Sequence, residues 1–582
     1  MCGIIGYVGN KESKDVLISS LEKLEYRGYD SSGISLIENA QLLTFKKTGK
    51  VEILKHSLEN RKFNSNIGIG HTRWATHGKV SIENAHPHNS LNNKISLVHN
   101  GIIENYLELK IELEKHNVSF YGKTDTEVLV KYLEYIYTTP LESLKKLRNI
   151  IKGSYAIGVI FLDDPDKIYF LKKDSPLLIG IGTNENYLSS DYSSIDNYTN
   201  KVIYLQDYQY GYITKNEYHI YNENETNAII HQLPSTHNII NNKIYSTYLE
   251  KEIHESKDII SSILRRYVKD KTIDFSSHLI NKIKNNINHI NILGCGSSYN
   301  VGLIGKHIIE NLCKIPVSVH IASEYKYNHP LSLVNSLDIY ISQSGETADL
   351  IACTNIFSSY KIGIINTKNS TLSNKMDDNF FLEAGKEVSV ATTKAYIGQL
   401  TFLILIALYL SNDYSNYLSE LKSLPSKIKY ILDNHQEIIN LSKIIKDYKN
   451  IFFIGRGLDY LTCIEGSLKL KEITYIHSEA ISSGELKHGT ISLIDENVYV
   501  ISLLSSSLKE KTLSNIEEVK ARGGKVFTIS TSNSDYTIPQ TNEIFFPFLE
   551  IIPLQLLSLY TGLEKKLDID KPRNLAKSVT VE

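Results

Sequence analysis

Cys2 is the second residue of a 582-residue chain. Removal of Met1, the usual fate of an initiator before a small side chain, leaves Cys2 with a free α-amine. Such an amine has a pKa of about 7.7–8.0, and a thiol one of about 8.5, so the amine can take the proton of its own sulfur. Nucleophile and base then share one residue. The plainer reading is a buried cysteine that falls second by chance. Further segments bear on the choice. Tyr26 to Gly33 is a polar turn dense in hydrogen-bonding groups. His71 to Gly78 follows an apolar run and holds Trp74, the one tryptophan of the chain. Asn84 to His88 reads as a rigid loop. His99-Asn100-Gly101 ends a strand, where an Asn side chain and a Gly N–H can hold an oxyanion together. Gly122 to Thr126 offers the Asp125 carboxylate to an amine. Each has a bland alternative: His77 and His86 as satisfied core residues, Trp74 as core, Asp125 as a helix N-cap. His86 and His88, two apart with no third ligand, do not make a metal site.

The distal part of the chain carries a second group. Gly294-Cys295-Gly296-Ser297-Ser298-Tyr299 and Ser342-Gln343-Ser344-Gly345-Glu346-Thr347 both read as strand-to-helix turns. Such turns aim backbone N–H groups and hydroxyls at an anion. Two hydroxyl-rich turns in one sheet fit a phosphorylated small molecule. A dinucleotide fingerprint is disfavoured, because Tyr299 stands where the third glycine belongs. Glu465, Lys469 and Glu472 fall on one face of a helix. They are either an exposed ion-pair face or a proton-moving group, and the preceding Gly455-Arg456-Gly457 turn places the helix start at the ligand end of a sheet. Ser483 to Gly489 sets His488 in a glycine-flanked loop. Lys577 lies in a small-residue, apolar tail near Arg573, where a lysine can lose its proton and attack a carbonyl.

The elements that must position these residues differ between the two halves. The first ~235 residues have short apolar runs and many turn signals, which predict strands with few long helices. A polar stretch, Tyr221 to Lys243, reads as a linker. Beyond it, apolar strands alternate with small-residue turns and amphipathic helices, the pattern of parallel α/β sheets. That part repeats. Asn291 to Gly296 resembles Phe452 to Gly457, with Gly294 and Gly455 161 positions apart. Ile339 to Ser342 and Ser502 to Ser505 are offset by 163, Ile362 to Ile365 and Val526 to Ile529 by 164. One order at nearly one offset indicates a duplicated domain. Lys and Arg number 63 against 65 Asp and Glu, a formal charge of −2. That balance offers no broad basic field for nucleic acid or an anionic membrane. The most apolar stretch, Leu400 to Leu410, is short of the ~20 residues a membrane-spanning helix needs. The N-terminus has no signal-peptide pattern. Five scattered cysteines without a CxxC pair suit a reducing, cytoplasmic setting.

Taken together, residues 2–235 resemble the class II glutamine amidotransferase domain, an N-terminal-nucleophile hydrolase. The distal segments and the Asn574 to Glu582 terminus resemble the paired sugar isomerase (SIS) domains and tail of the isomerising glutamine–fructose-6-phosphate aminotransferase family. The resemblance implies a multidomain α/β chain: an αββα sandwich, then two doubly wound parallel-sheet SIS domains. Its expected divisions are 2–235 amidotransferase, 236–250 linker, 251–433 first SIS domain, 434–571 second SIS domain, and 572–582 catalytic tail. Cys2 would attack the glutamine amide, with Asn100 and Gly101 as oxyanion hole. Arg73 would hold the α-carboxylate and Asp125 the α-amine. Thr76, His77 and His86 would shape the pocket, and Trp74 would gate the released ammonia. Ser342, Gln343, Ser344 and Thr347 would hold the phosphate of fructose 6-phosphate. Ser297, Ser298 and Thr392 would face the sugar. His488 would open the ring, from a neighbouring subunit in a homodimer. Lys577 would form a Schiff base, Glu472 would move a proton between C1 and C2, and Lys469 and Glu465 would tune that step. No metal or organic cofactor is implied. Ammonia would pass through a dry channel, since in water it is mostly ammonium. Ser297 stands where the family usually has threonine and Thr392 where it has serine; both keep the hydroxyl. The linker lacks the long insertion of animal and fungal members.

Other readings fit less well. A phosphoribosyl acceptor domain needs two acidic residues in a pyrophosphate loop after a strand, and an asparagine-synthetase partner needs a Ser-Gly-Gly nucleotide loop; the sequence has neither. A non-catalytic sugar-phosphate sensor gives no reason for an N-terminal cysteine or for Glu472, His488 and Lys577 together.

Overall fold

The computed structural model describes residues 2–74, 78–233, 245–328, 330–331, 333–411 and 414–580. These fall into two compact units: the chain up to Ile240 with the residues from Ser578 onward, and Asn241 to Lys577.

In the first unit, alternating apolar residues build two antiparallel sheets, one of eight strands and one of six. Strand Gly3–Val8 lies between Asn186–Ser189 and Ile67–Arg73, with Gly3 opposite Thr72. Strand Ile95–Ile103 pairs with Gly153–Phe161, setting Asn100 opposite Ala156 and Gly101 opposite Tyr155. The two-residue period of a strand sorts the side chains. Ile4 and Val8 join Val98, Ala156 and Ile160 in the core between the sheets. Ile5 and Tyr7 face the other way, against helices Ser13–Leu24 and Val51–Leu58. On the opposite flank Leu97, Tyr155 and Ile157 pack against helices Asp125–Tyr135 and Pro140–Ile150. The result is the helix–sheet–sheet–helix sandwich, with Cys2 at the open end of a central strand.

The polar stretch read as a linker is partly sheet. His231–Gln232 forms the edge of the eight-stranded sheet, paired with Lys201–Val202. Both residues are exposed, so this edge strand shows no apolar alternation to read. Helix Tyr248–Tyr267 begins inside the stretch 236–250, capped by the Thr247 side chain.

The second unit holds two five-stranded parallel sheets. The first runs Val317–Ile321, His289–Gly294, Ser336–Ser342, Tyr360–Ile365, Asp378–Phe381. The second repeats that order with His477–Ser482, Asn450–Gly455, Tyr499–Leu503, Lys525–Ser530, Tyr536–Thr537. The repeat extends to the turns. Gly296 and Gly457, which precede helices Ser297–Cys313 and Leu458–Thr474, have φ/ψ of 54/−128 and 56/−128. A side chain disfavours that region, so glycine is required there by conformation. Both helices also end on left-handed residues, Lys314 and Tyr475. One hydrophobic core runs through both copies. Lys394–Ser411 and Glu543–Glu564 are long and apolar enough to cross a membrane by length and composition, but 89% of each such stretch is buried inside the protein. The first extends beyond Leu400 to Leu410 because Lys394, Tyr396 and Gln399 are buried too.

Candidate active sites

In the first unit Cys2 is held at three points. Its Sγ accepts the Trp74 N–H at 3.3 Å and lies 3.5 Å from the Trp74 carbonyl. Its carbonyl accepts from Arg27 Nε at 3.2 Å and Asn100 Nδ2 at 3.1 Å. The Asn100 amide is oriented by His71, whose Nε2 lies 3.0 Å from the His99 carbonyl and 3.1 Å from Asn100 Oδ1. The carbonyl can only accept, so Nε2 carries the hydrogen and Asn100 Nδ2 must face Cys2. Burial pushes the Cys2 thiol up, against the pull of the Trp74 N–H and the Arg73 charge. The resting sulfur is therefore protonated at neutral pH and needs a base.

Beside the sulfur is a small cleft walled by Arg73, Trp74, His86, Gly101 and Asp125, with His99, Thr124 and Thr126. Most of the residues singled out in this half thus meet. Arg73 is buried and its Nη2 donates to the Gly78 carbonyl at 3.2 Å. Asp125 is the first residue of its helix and accepts from the N–H of Ile103 (3.0 Å) and Thr126 (2.9 Å). The cap of that helix is Thr124, not Asp125. Glu127 anchors the approach by accepting the Tyr121 and Gly122 N–H groups, and is itself paired with Lys131 in full burial. The sequence shows Glu127 and Lys131 only as an i,i+4 pair, which ordinarily reads as a surface feature. Thr76 and His77 lie outside the described residues.

His71, His86 and His88 follow one another behind and in the wall, where His86 lines the cleft, with ring centroids 4.1 Å apart in a tilted pair and 5.1 Å apart edge to face. Burial drives all three below the usual histidine range, His71 to about 3. The folded state keeps them neutral, while the unfolded chain protonates below about pH 6.5. Stability is therefore fully present above that pH and is lost as pH falls through it. The three histidines together contribute a slope approaching about 4 kcal/mol per pH unit, opposed over the same range by buried carboxyls such as Glu252 and Glu465 that keep their protons in the folded state. In denaturant unfolding from pH 7.5 to 5, stability of His88→Gln relative to the wild type is expected to rise as pH falls, by up to about 1.4 kcal/mol per pH unit; parallel pH profiles of the two proteins would contradict it.

In the second unit the two sequence-singled turns lie at the carboxyl ends of adjacent strands, His289–Gly294 and Ser336–Ser342, where the strand order reverses. Ser342 Oγ accepts the Gly345 N–H at 2.9 Å and lies 3.5 Å from Thr347 Oγ1. Ser344 Oγ accepts the Glu346 N–H, and Gln343 follows Ser342 in the same turn. Gly345 has φ +68, and an added Cβ would come within 2.0 Å of Ser370 Oγ. Ser297 and Ser298 open the helix after the first strand, and Ser298 Oγ donates to Gln399 Oε1 at 3.3 Å.

Glu465, Lys469 and Glu472 do share a face, with Glu465 and Lys469 buried and Glu472 partly exposed at its edge. Lys469 Nζ lies 3.5 Å from Glu465 and 2.5 Å from Glu472. Burial pushes the Glu465 carboxyl up; burial of Lys469 is outweighed by Glu472 and Glu465, leaving the ammonium above its usual range. These residues sit in the later turns of helix Leu458–Thr474, not at its start. They reach the first copy through Asn300, whose Nδ2 donates to Glu465 at 2.7 Å. Helix packing between the copies, not the Gly457 turn, therefore positions them.

Lys577 is buried, but not in an apolar setting. Its Nζ is 2.5 Å from Glu387 Oε2 and 3.3 Å from Thr392 Oγ1. Glu387 carried no signal in the sequence beyond being a charge in the small-residue segment before the most apolar helix. His488 ends a short 3-10 turn and is exposed. No described contact of this chain joins it to Lys577 or Glu472.

The glutamine amidotransferase domain family matches residues 71–197, and the SIS domain family matches twice, at 285–409 and 444–561. The chain is thus of the class that joins a glutamine amidotransferase domain to a pair of SIS domains. It is 43% identical to the glutamine–fructose-6-phosphate aminotransferase (isomerizing) of Caldanaerobacter subterraneus subsp. tengcongensis, with all of both chains covered. It is 38% identical to the protein of that name from Staphylococcus aureus strain COL, again over all of both chains. The solved C-terminal domain of the glucosamine-fructose-6-phosphate aminotransferase of Francisella tularensis is 36% identical, with a TM-score of 0.54 over 57% of this chain and 99% of that one. The chain belongs to the glutamine–fructose-6-phosphate aminotransferase (isomerizing) family.

Proposed function

We propose that this protein converts fructose 6-phosphate and L-glutamine to glucosamine 6-phosphate and L-glutamate, the entry step of hexosamine synthesis. The observation that carries the reading is the pairing of Arg73 and Asp125 in the wall of one cleft with Cys2 Sγ. A guanidinium and a carboxylate match the two charges of a free amino acid, and the sulfur lies where its side-chain amide would reach. The α-amine of mature Cys2 takes the thiol proton as Sγ attacks the amide carbon. Asn100 Nδ2 and the Gly101 N–H receive the oxyanion, and ammonia leaves a thioester that water hydrolyses. Trp74 and His86 complete the pocket.

At the second site Ser342, Gln343, Ser344 and Thr347 bind the phosphate, and Ser297, Ser298 and Thr392 the sugar. His488, exposed here, serves the site of a neighbouring subunit in a homodimer and opens the ring. Lys577 forms a Schiff base at C2, ammonia displaces it, and Glu472 carries a proton from C1 to C2. Lys469 and Glu465 hold Glu472 in its charged setting. Ammonia is delivered shielded from water, because ammonium has no lone pair to attack with. None of the five cysteines is in a disulfide, which suits the reducing cytoplasm. The near-neutral charge gives no reason to invoke nucleic acid or a membrane as partner.

The direct test is an assay of glutamate and glucosamine 6-phosphate formed from glutamine with and without fructose 6-phosphate. Both products are expected together; absence of glutamate release under either condition would overturn the reading. A sharper check is Gly101→Ala. Gly101 has φ +118, and a Cβ would meet the Ser154 carbonyl oxygen at 2.0 Å. The strand must shift and tilt the 101 N–H, so glutamine hydrolysis is expected to fall on the order of 100-fold. Unchanged hydrolysis would remove Gly101 from the oxyanion hole.

A further inference from the structure

Chain from both sides of the SIS-matching regions converges on Glu387. Helix Tyr248–Tyr267 precedes the first region and Lys577 follows the second. Glu387 is fully buried. Its Oε1 accepts the Thr393 and Ala395 N–H groups at 3.0 Å and 3.1 Å, and its Oε2 faces Lys577 Nζ at 2.5 Å. A second buried carboxylate, Glu252, accepts the Val388 and Ser389 N–H groups from the next residues of the same segment. Burial and the charge of Glu387 push Glu252 up to about 8. Burial also raises Glu387, but the Lys577 ammonium and the two N–H groups outweigh it and leave the carboxyl below its usual range. Lys394, which could compete for Glu387, is instead held by Glu255 at 2.8 Å and the Lys386 carbonyl at 2.9 Å. Glu387 is thus an anion whose one free oxygen is given to a single amine.

We propose that Glu387 is the proton relay of Lys577 during Schiff-base formation. Glu387 takes one proton from the ammonium, and the freed nitrogen lone pair forms the N–C2 bond as the ketone π pair moves to oxygen. The Glu387 acid protonates that alkoxide. Glu387 then takes a proton from the nitrogen and gives it to the C2 hydroxyl, which leaves as water while the nitrogen lone pair forms the C=N bond. The site begins with an ammonium and a carboxylate and ends with a protonated imine, the same carboxylate and one water. The relay rests on the reading that Lys577 forms the imine.

The test is the rate at which borohydride quenching fixes fructose 6-phosphate to Lys577 in the full-length protein, with peptide mass spectrometry locating the adduct. Glu387→Gln is expected to slow adduct formation on the order of 100-fold or more. Its rate should also rise about tenfold per pH unit from pH 6 to 8, since the proton must now go to solvent, with Glu252, Lys394 and Lys469 the other charges near the pair. Glu387→Asp keeps the buried charge but withdraws the oxygen, and is expected to lose about tenfold, which decides the matter should the glutamine variant not fold. Glutamine hydrolysis at Cys2 should be unchanged in both. Adduct formation at the wild-type rate in either folded variant overturns the relay alone. A wild-type adduct on a residue other than Lys577 overturns the Schiff-base reading itself.

Discussion

Cys2→Ala is expected to abolish glutamine-dependent synthesis of glucosamine 6-phosphate, by on the order of 10⁴-fold or more, while isomerisation of the phosphosugar persists. The size follows from the chemistry. Among the described residues Cys2 is the one cysteine in its cleft and carries its own α-amine as base, and neither Arg73 nor Asp125 can replace it. The persistence follows from the architecture. Cys2 belongs to the first compact unit, while Ser342, Thr392, Glu472 and Lys577 belong to the second. Retained isomerisation shows that the second unit is folded, and retained glutamine binding by the variant is needed to show the same of the first, so that loss of synthesis reads as loss of the nucleophile. A variant that still makes the amino sugar from glutamine would remove Cys2 from the mechanism.

Lys577→Ala is the reciprocal case: synthesis is expected to vanish while part of the glutamine hydrolysis remains. The substitution has a second effect that must be separated from the first. It leaves Glu387 buried without its cation, a change that typically costs about 3–5 kcal/mol. Thermal unfolding of Lys577→Ala should therefore begin earlier than in the wild type, and adding Glu387→Gln should recover much of the loss without restoring synthesis. Recovery of synthesis in the double variant would show that the lysine matters only for stability.

What could be read from the chain depended on how local each signal was. The segments around Arg73, Asn100 and Asp125 are contiguous, chemically dense and bounded by strand or turn signals, and they converge on one cleft with Cys2. The duplication was legible because strand-plus-turn units recur at nearly one offset, and the two sheets share a strand order. Glu252 and Glu387 were not legible. They are 135 positions apart, each in an ordinary local setting, and acquire meaning only when tertiary folding brings them to Lys577. The Glu465, Lys469 and Glu472 face was visible, but its route to the site was misjudged, since helix packing through Asn300 positions it. His231–Gln232 was missed as a strand because an exposed edge need not alternate.

The measurement that bears most directly on the account is mass spectrometry of the N-terminal peptide of fully active protein. A nucleophile whose base is its own α-amine requires that amine to be free, and the raised affinity of the buried thiol for its proton makes a base indispensable. The account predicts that the peptide starts at Cys2, and that blocking its amine stops glutamate release. Full activity with the initiator methionine still attached would contradict it.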